Sequence, residues 1–275
     1  MDKLIVSVAT TGSWPTKQMT PYLPTTPEEI ASSAIEAWRE GASVVHIHVR
    51  DDGGKVVCDP DRYRRAMELI RQAGCDIVIN LSTSGGAGGA PEEVRLAVVD
   101  LRPDLASFDA GSMNFGERVF LNSPDFLARL AAHMKEKGVK PEIECFDTGQ
   151  IDNAVRLIDQ ALIEPPFWFQ IVLGVKGGAH ASPRQLLHMV EMLPSGVPWS
   201  VCAVGRDQLP MNTIAMAMGG HARTGLEDNI YYRRGELAVS NAQLVARVVR
   251  IGRELGREIA SPAEARSILG LPPLG

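Results

Sequence analysis

From residue 4 onward, short apolar runs alternate with longer segments whose hydrophobic residues recur every three or four positions. The short runs are rich in Val, Ile and Leu and too brief for a stable helix, so they read as buried strands. They fall at 4–9, 44–50, 77–81, 105–108, 142–146, 167–173, 198–204 and 221–225. Between them, helical periodicity spans 27–40, 60–72, 91–101, 124–137, 152–162, 183–192 and 209–218. A last long helix over 241–255 carries Leu244, Val245, Val248, Ile251 and Leu255 as one stripe. Helix starts are marked strongly. Thr26-Pro27-Glu28-Glu29 offers a hydroxyl cap, a proline at the first helical position and acids in the first turn. The device recurs at Asp59-Pro60, Ser123-Pro124, Ser182-Pro183 and Ser261-Pro262.

A strand followed by a helix, eight times over, implies a parallel sheet with right-handed crossovers. Eight is the number at which such a sheet closes, so the expected fold is an α/β (β/α)8 TIM barrel, with a doubly wound open sheet as the competitor. The 275 residues fit one barrel domain over 1–275 with a C-terminal helical extension. No linker, low-complexity stretch or internal repeat divides the chain.

Composition narrows the function. A net charge of −5 without any basic cluster argues against nucleic acid or an anionic membrane surface as partner. The chain enters its first strand directly, and that apolar run is too short for a secretion signal or a membrane span. Cys58, Cys75, Cys145 and Cys202 form no Cys-x-x-Cys pair, which suits a reducing, cytoplasmic setting.

The densest chemistry lies in Val44-Val45-His46-Ile47-His48-Val49-Arg50. Side chains alternate along a strand, so His46 and His48 share one face. They are either core histidines bonded to backbone carbonyls or half of a metal site. In an α/β barrel the active site gathers at the carboxyl ends of the strands. Those ends supply Ser82-Thr83-Ser84-Gly85-Gly86, Ser107-Phe108-Asp109, Glu142-Ile143-Glu144, Gly174-Val175-Lys176 and Arg223-Thr224-Gly225-Leu226-Glu227-Asp228. Ser82, Thr83, Gly85 and Ser107 are candidate substrate contacts. Glu227 is the natural third ligand beside His46 and His48, a set that suits zinc first and also iron(II) or manganese. Asp228 then stands next to the metal as a candidate base, with Arg223 as a cation to keep it ionised. The alternative for Arg223, Glu227 and Asp228 is a solvated ion-pair cluster. The glycines of 85–89 and 177–178 could cradle phosphates, although neither stretch matches a nucleotide motif.

Several stretches together resemble the β-keto acid cleavage enzymes, whose type member cleaves 3-keto-5-aminohexanoate. They are His46–Arg50, Gly111-Ser112-Met113-Asn114-Phe115-Gly116, Leu173-Gly174-Val175, Gly219-Gly220-His221, Arg223–Asn229 and Ser240–Arg247. The resemblance implies a homotetrameric barrel with one catalytic zinc on His46, His48 and Glu227. It implies Asp228 as base, supported by Arg223 and Glu144, and hydroxyls near the substrate at Ser82 and Ser107, the latter replacing a threonine. It also implies condensation of a β-keto acid with acetyl-CoA, giving acetoacetate and a new acyl-CoA. One departure stands out: Trp14 occupies the place where the amino-substrate enzyme has a glutamate, which points away from a primary-amine tail. Two rival readings remain open. Lys176 could form a Schiff base as in barrel aldolases, and the barrel could be a non-catalytic binder of an acyl-CoA or metabolite.

Overall fold

The computed structural model describes residues 3–86 and 89–274. Barrel strands are β1 (Val6–Ala9), β2 (Val44–Ile47), β3 (Val78–Leu81), β4 (Leu105–Asp109), β5 (Lys140–Cys145), β6 (Trp168–Leu173), β7 (Trp199–Ala203) and β8 (His221–Thr224). All neighbouring pairs are parallel, and β1 pairs with both β2 and β8, so the sheet closes as expected of a (β/α)8 barrel. Around it run α1 (Pro27–Arg39), α2 (Pro60–Gln72), α3 (Glu92–Val99), α4 (Pro124–Lys137), α5 (Thr148–Asp159), α6 (Pro183–Glu191), α7 (Gln208–Ala217) and α8 (Asn241–Glu254). A final helix, α9 (Pro262–Leu269), lies apart from that ring. Among the described residues no helix is long and apolar enough to cross a membrane.

The marked helix starts form the caps they encode. Thr26 and Glu29 make a reciprocal capping box, as do Ser261 and Glu264. Asp59, Ser123 and Ser182 each accept a backbone N–H of the first turn. Two helices differ from the sequence reading by more than one residue at an end. α5 begins at Thr148 rather than 152, because Asp147 caps it by accepting from the Gln150 N–H, and it ends before Ala161, whose φ of +56° is non-helical. α3 stops at Val99, short of 101, just before Arg102 turns to φ +52°.

The run 44–50 is also not one strand. The barrel strand ends at Ile47, and Val49–Arg50 instead pairs antiparallel with Val56–Val57 as a ribbon outside the barrel. Arg50 explains the break. Its guanidinium donates to the carbonyls of Gly12 at 2.8 Å and Pro15 at 2.7 Å, drawing the chain against the loop after β1. Further ribbons at Met113–Phe115/Arg118–Phe120 and Tyr231–Arg233/Glu236–Leu237 follow β4 and β8, and the sequence reading missed both.

Alternation sorts the strand residues by face. Val6, Val8, Val45, Ile47, Ile79 and Leu81 pack outward against the helices. Inside, Ile5, Val44, Val78, Leu105 and Trp168 form an apolar layer at the amino ends of the strands, sealed by Ala265 and Leu269 of α9. The polar inward positions above that layer, nearer the carboxyl ends, are left for chemistry.

His221 stands at the edge of this layer. Its ring lies 5.4 Å from that of Trp168, and its Nδ1 accepts the Ile5 N–H at 2.9 Å. Burial, reinforced by nearby Arg257, pulls its pKa down to about 3. An unfolded histidine protonates near pH ~6.5. Between these values the unfolded chain binds the extra proton, so this group's contribution to stability is lost as pH falls. His221→Phe should cost about 1–3 kcal/mol at pH 7 by stranding the Ile5 N–H. Urea unfolding at descending pH should show the gap between variant and wild type narrowing below pH ~6.5.

Candidate active site

The β2 strand and the extended residue after it carry His46 and His48 onto the same side, with ring centroids 5.1 Å apart. The turn after β8 brings Glu227 to meet them: its Oε1 lies 3.6 Å from His46 Nε2 and 3.4 Å from His48 Nε2. That turn depends on glycine. Gly225 has φ +141°, and a Cβ there would sit 2.0 Å from the Ala9 carbonyl oxygen. A Cβ on Gly12 (φ +62°) would likewise meet the Glu227 side chain at 2.4 Å. Asn241 at the start of α8 joins the two loops, donating to Thr10 O at 3.1 Å and accepting the Leu226 N–H at 2.8 Å.

Arg223 reaches into the same space from β8 and is buried. It donates to Glu227 Oε1 at 2.6 Å, to Asp228 at 3.1 and 3.2 Å, and to Glu144 Oε1 at 3.3 Å. The solvated ion-pair alternative therefore does not describe this cluster: Arg223, Asp228 and Glu144 are 3%, 5% and 6% exposed.

The shared guanidinium tunes each carboxyl differently. Burial would raise Glu227, but His48 and Arg223 beside it outweigh that and hold the group well below the usual carboxylate range. In Asp228 burial dominates, only partly offset by Arg223, and proton affinity rises. Glu144 is pushed well up by burial, with Arg223 opposing and Asp109, Glu142 and Glu227 adding to the rise. Burial drives His46 well below its ordinary value despite Glu227, so this imidazole is neutral.

These groups floor a cavity of about 950 Å³ at the carboxyl mouth. Ser82, Gly85, Ser107 and Trp14 also line it. Thr83 does not: its hydroxyl donates to the Ser107 carbonyl at 2.9 Å and its N–H to Ser107 Oγ at 3.0 Å, so it braces Ser107 instead. Of the glycine stretch 85–89, residues 87 and 88 lie outside the described residues. Lys176 lines the rim, where its side chain is 74% exposed and paired with Glu117. A Schiff-base lysine is instead activated by a desolvated pocket or a neighbouring cation. Asp207, the acid just past β7 that could have supplied a charge for a substrate ammonium, is not among the lining residues.

Two acids escaped assignment from the sequence. Asp109 ends β4 in the cavity wall with a buried Oδ2 lacking a partner, and burial raises its pKa against the opposing pull of Arg95 and His48. Glu142 lies deeper, two residues before Glu144 on the same face of β5. Both sat in plain view at strand ends, and the period-two spacing of Glu142 and Glu144 was the available signal.

An eight-stranded parallel barrel whose carboxyl mouth gathers imidazoles, carboxylates and a guanidinium has the layout of an α/β-barrel enzyme. Comparison with known proteins gives the family. A profile described as beta-keto acid cleavage enzyme matches residues 3–271. A 3-keto-5-aminohexanoate cleavage enzyme from Fusobacterium nucleatum subsp. nucleatum is 46% identical over 272 residues, spanning 98% of this chain and 99% of that one. A 3-oxoadipate:acetyl-CoA acetyltransferase from Cupriavidus necator is 41% identical, covering 98% and 95% of the two chains. The chain belongs to the β-keto acid cleavage enzyme family. Among solved structures, apo ObcA superposes with a TM-score of 0.82 at 24% identity; the match covers 91% of this chain and 66% of that longer one, and supports the fold.

The arrangement makes Arg223 the keystone. Arg223→Met removes the cation from between Glu144, Glu227 and Asp228. Stranding buried partners of this kind costs about 3–5 kcal/mol, and chemical denaturation of the variant at pH 7 should show a loss of that size.

Proposed function

We propose that this chain condenses a β-keto acid with acetyl-CoA and releases acetoacetate and a new acyl-CoA, using Asp228 as base beside a zinc held by His46, His48 and Glu227. The observation that carries this reading is the convergence of the two imidazole Nε2 atoms on Glu227 Oε1, with Asp228 next in the chain and bonded to the same arginine. A tetrahedral ion with bonds of about 2.0–2.2 Å spaces its ligands about 3.3–3.6 Å apart. The distances of 3.4 and 3.6 Å fit. Glu227 Oε2 is buried without a hydrogen-bond partner, which suits a carboxylate that holds a cation. Two histidines and a carboxylate would also accept iron(II) or manganese. A cation there would act as Lewis acid toward the keto acid, making its C2 proton more acidic.

The residues of the chain do the rest. Asp228 takes a C2 proton, and its raised proton affinity suits it to that task. The resulting C2 carbanion attacks the acetyl thioester carbonyl, a C–C bond forms, and CoA leaves as thiolate. The thiolate then adds to the original keto carbon. Cleavage of the C2–C3 bond gives the new acyl-CoA, and the C2 carbanion of acetoacetate recovers the proton from Asp228. Arg223 and Glu144 hold Asp228 and the reacting oxygens in place, and the Ser82 and Ser107 hydroxyls face the same cavity. The name of the Cupriavidus relative, an acetyl-CoA acetyltransferase acting on 3-oxoadipate, supports the co-substrate. The reading extends to a cytoplasmic homotetramer: four free, buried cysteines suit a reducing compartment, and the assembly follows the family resemblance.

The decisive assay incubates the protein with acetyl-CoA and a panel of β-keto acids and follows acetoacetate. Asp228→Asn should lower turnover about 10²–10⁴-fold while zinc content, measured by atomic absorption, stays unchanged. His48→Ala should lose both metal and turnover. Zinc loss in Asp228→Asn with zinc retained in His48→Ala would reverse the assigned roles.

Trp14 sets the expected tail. It is 55% exposed and lines the cavity, and its indole offers apolar area and a π-face but no negative charge for an ammonium. A neutral tail, or a weakly hydrated quaternary ammonium gaining about 0.5–2 kcal/mol from the ring, should be preferred over a primary amine. Comparing kcat/KM across these tail classes in wild type and Trp14→Glu should show the variant shifted toward the primary amine. Equal rankings in the two proteins would remove Trp14 from the tail site.

A further inference from the structure

Glu142 is 1% exposed and takes no part in the steps above. Both of its oxygens are engaged as acceptors: Oε1 by Trp168 Nε1 at 2.9 Å, Oε2 by Asn80 Nδ2 at 2.5 Å. An indole N–H and an amide NH2 can only donate, so the two neighbours pin the carboxyl in one orientation. In that orientation Oε2 lies 3.8 Å from His46 Nδ1, the buried ring nitrogen that lacks a hydrogen-bond partner. Glu144 is the other acid near this ring, and its Oε1 already accepts from Arg223. On the far side of the ring, His46 Nε2 faces Glu227 Oε1 at 3.6 Å.

An imidazole held between two carboxyl groups must choose which one its single N–H serves. Glu142 has its oxygens fixed as acceptors and sits deeper in the barrel. We propose that Glu142 is a positioning residue: it accepts the Nδ1 proton of His46, and so fixes the tautomer that turns the Nε2 lone pair toward Glu227. This rests on the reading of His46 as a metal ligand. Closing 3.8 Å to a hydrogen bond takes a small turn of the imidazole about its Cβ, which the 3.6 Å contact of Nε2 with Glu227 Oε1 leaves room for. The same logic makes Asn80 and Trp168 the clamp of the clamp. The register supports this geometry, since Asn80 pairs with His46 across β2–β3 and Trp168 with Glu142 across β5–β6.

A carboxylate that receives the second N–H of a ligating histidine is worth about 10–100-fold in metal affinity. The test measures zinc affinity by chelator competition, and the visible absorption of the cobalt(II)-loaded protein, for wild type, Glu142→Gln, Trp168→Phe and His46→Ala. Glu142→Gln should bind zinc about 10–100-fold more weakly and shift the cobalt bands, because the amide no longer selects the tautomer. Trp168→Phe, which frees only Oε1, should weaken zinc binding in the same direction by a smaller factor. Should Glu142→Gln fail to fold, Trp168→Phe decides by the same two readouts. Zinc affinity within about twofold of wild type and unshifted cobalt bands in the folded variants would overturn the role of Glu142. His46→Ala separates the two levels: wild-type zinc affinity in that variant would overturn the ligand assignment itself.

Discussion

Glu144, Glu227 and Asp228 share one buried guanidinium at the barrel mouth, and the rest of the site is arranged around that imbalance of charge. Away from water, a carboxylate without a partner shifts toward its neutral form, and a cation without one is equally costly. Arg223 divides its donors unequally, so the three acids acquire three characters from one source. Glu227, closest to the guanidinium and facing two imidazoles, is kept as an anion. Asp228 and Glu144, more weakly compensated against burial, hold protons more readily. Neighbouring carboxyls whose proton affinities are driven apart in this way are suited to different tasks in one reaction.

This electrostatic arrangement needs an exact backbone, and the loops supply it by close approach. Gly225 lets the turn after β8 lie against Ala9, Gly12 lets the loop after β1 lie against Glu227, and Arg50 and Asn241 tie those loops down through carbonyls and an amide. Substitution at Gly225, Arg50 or Asn241 would act on the acids without touching them, whereas a side chain at Gly12 would press on Glu227 itself.

Much of this was legible in the chain. The apolar runs and proline-marked caps are local signals, and they encode the barrel because each strand–helix unit repeats the same solution. His46 and His48 were legible because imidazoles two apart on an apolar strand have few uses, and Glu227 with Asp228 because adjacent acids closely follow a strand. What stayed hidden is non-local. Glu142 is defined by Trp168 on the neighbouring strand β6 and by Asn80 on β3, two strands away across the curl of the barrel. Thr83 reads like Ser82, yet its turn toward Ser107 is decided by the β4 backbone beside it. The ribbon at 49–57 reads as more strand because nothing local shows Arg50 folding back on residues 12 and 15.

The plug at the amino end has a kinetic consequence. With Trp168, Leu105 and the side chains of α9 closing that end, the barrel is a cup and not a tube. On the proposed reaction a small acid seated at His46 would lie at the bottom of the cup, and a thioester reacting with it would come down on top through the same opening. For the proposed reaction this shape would make entry stacked, the acid before the CoA ester, and would make the acyl-CoA clear the mouth before acetoacetate could follow.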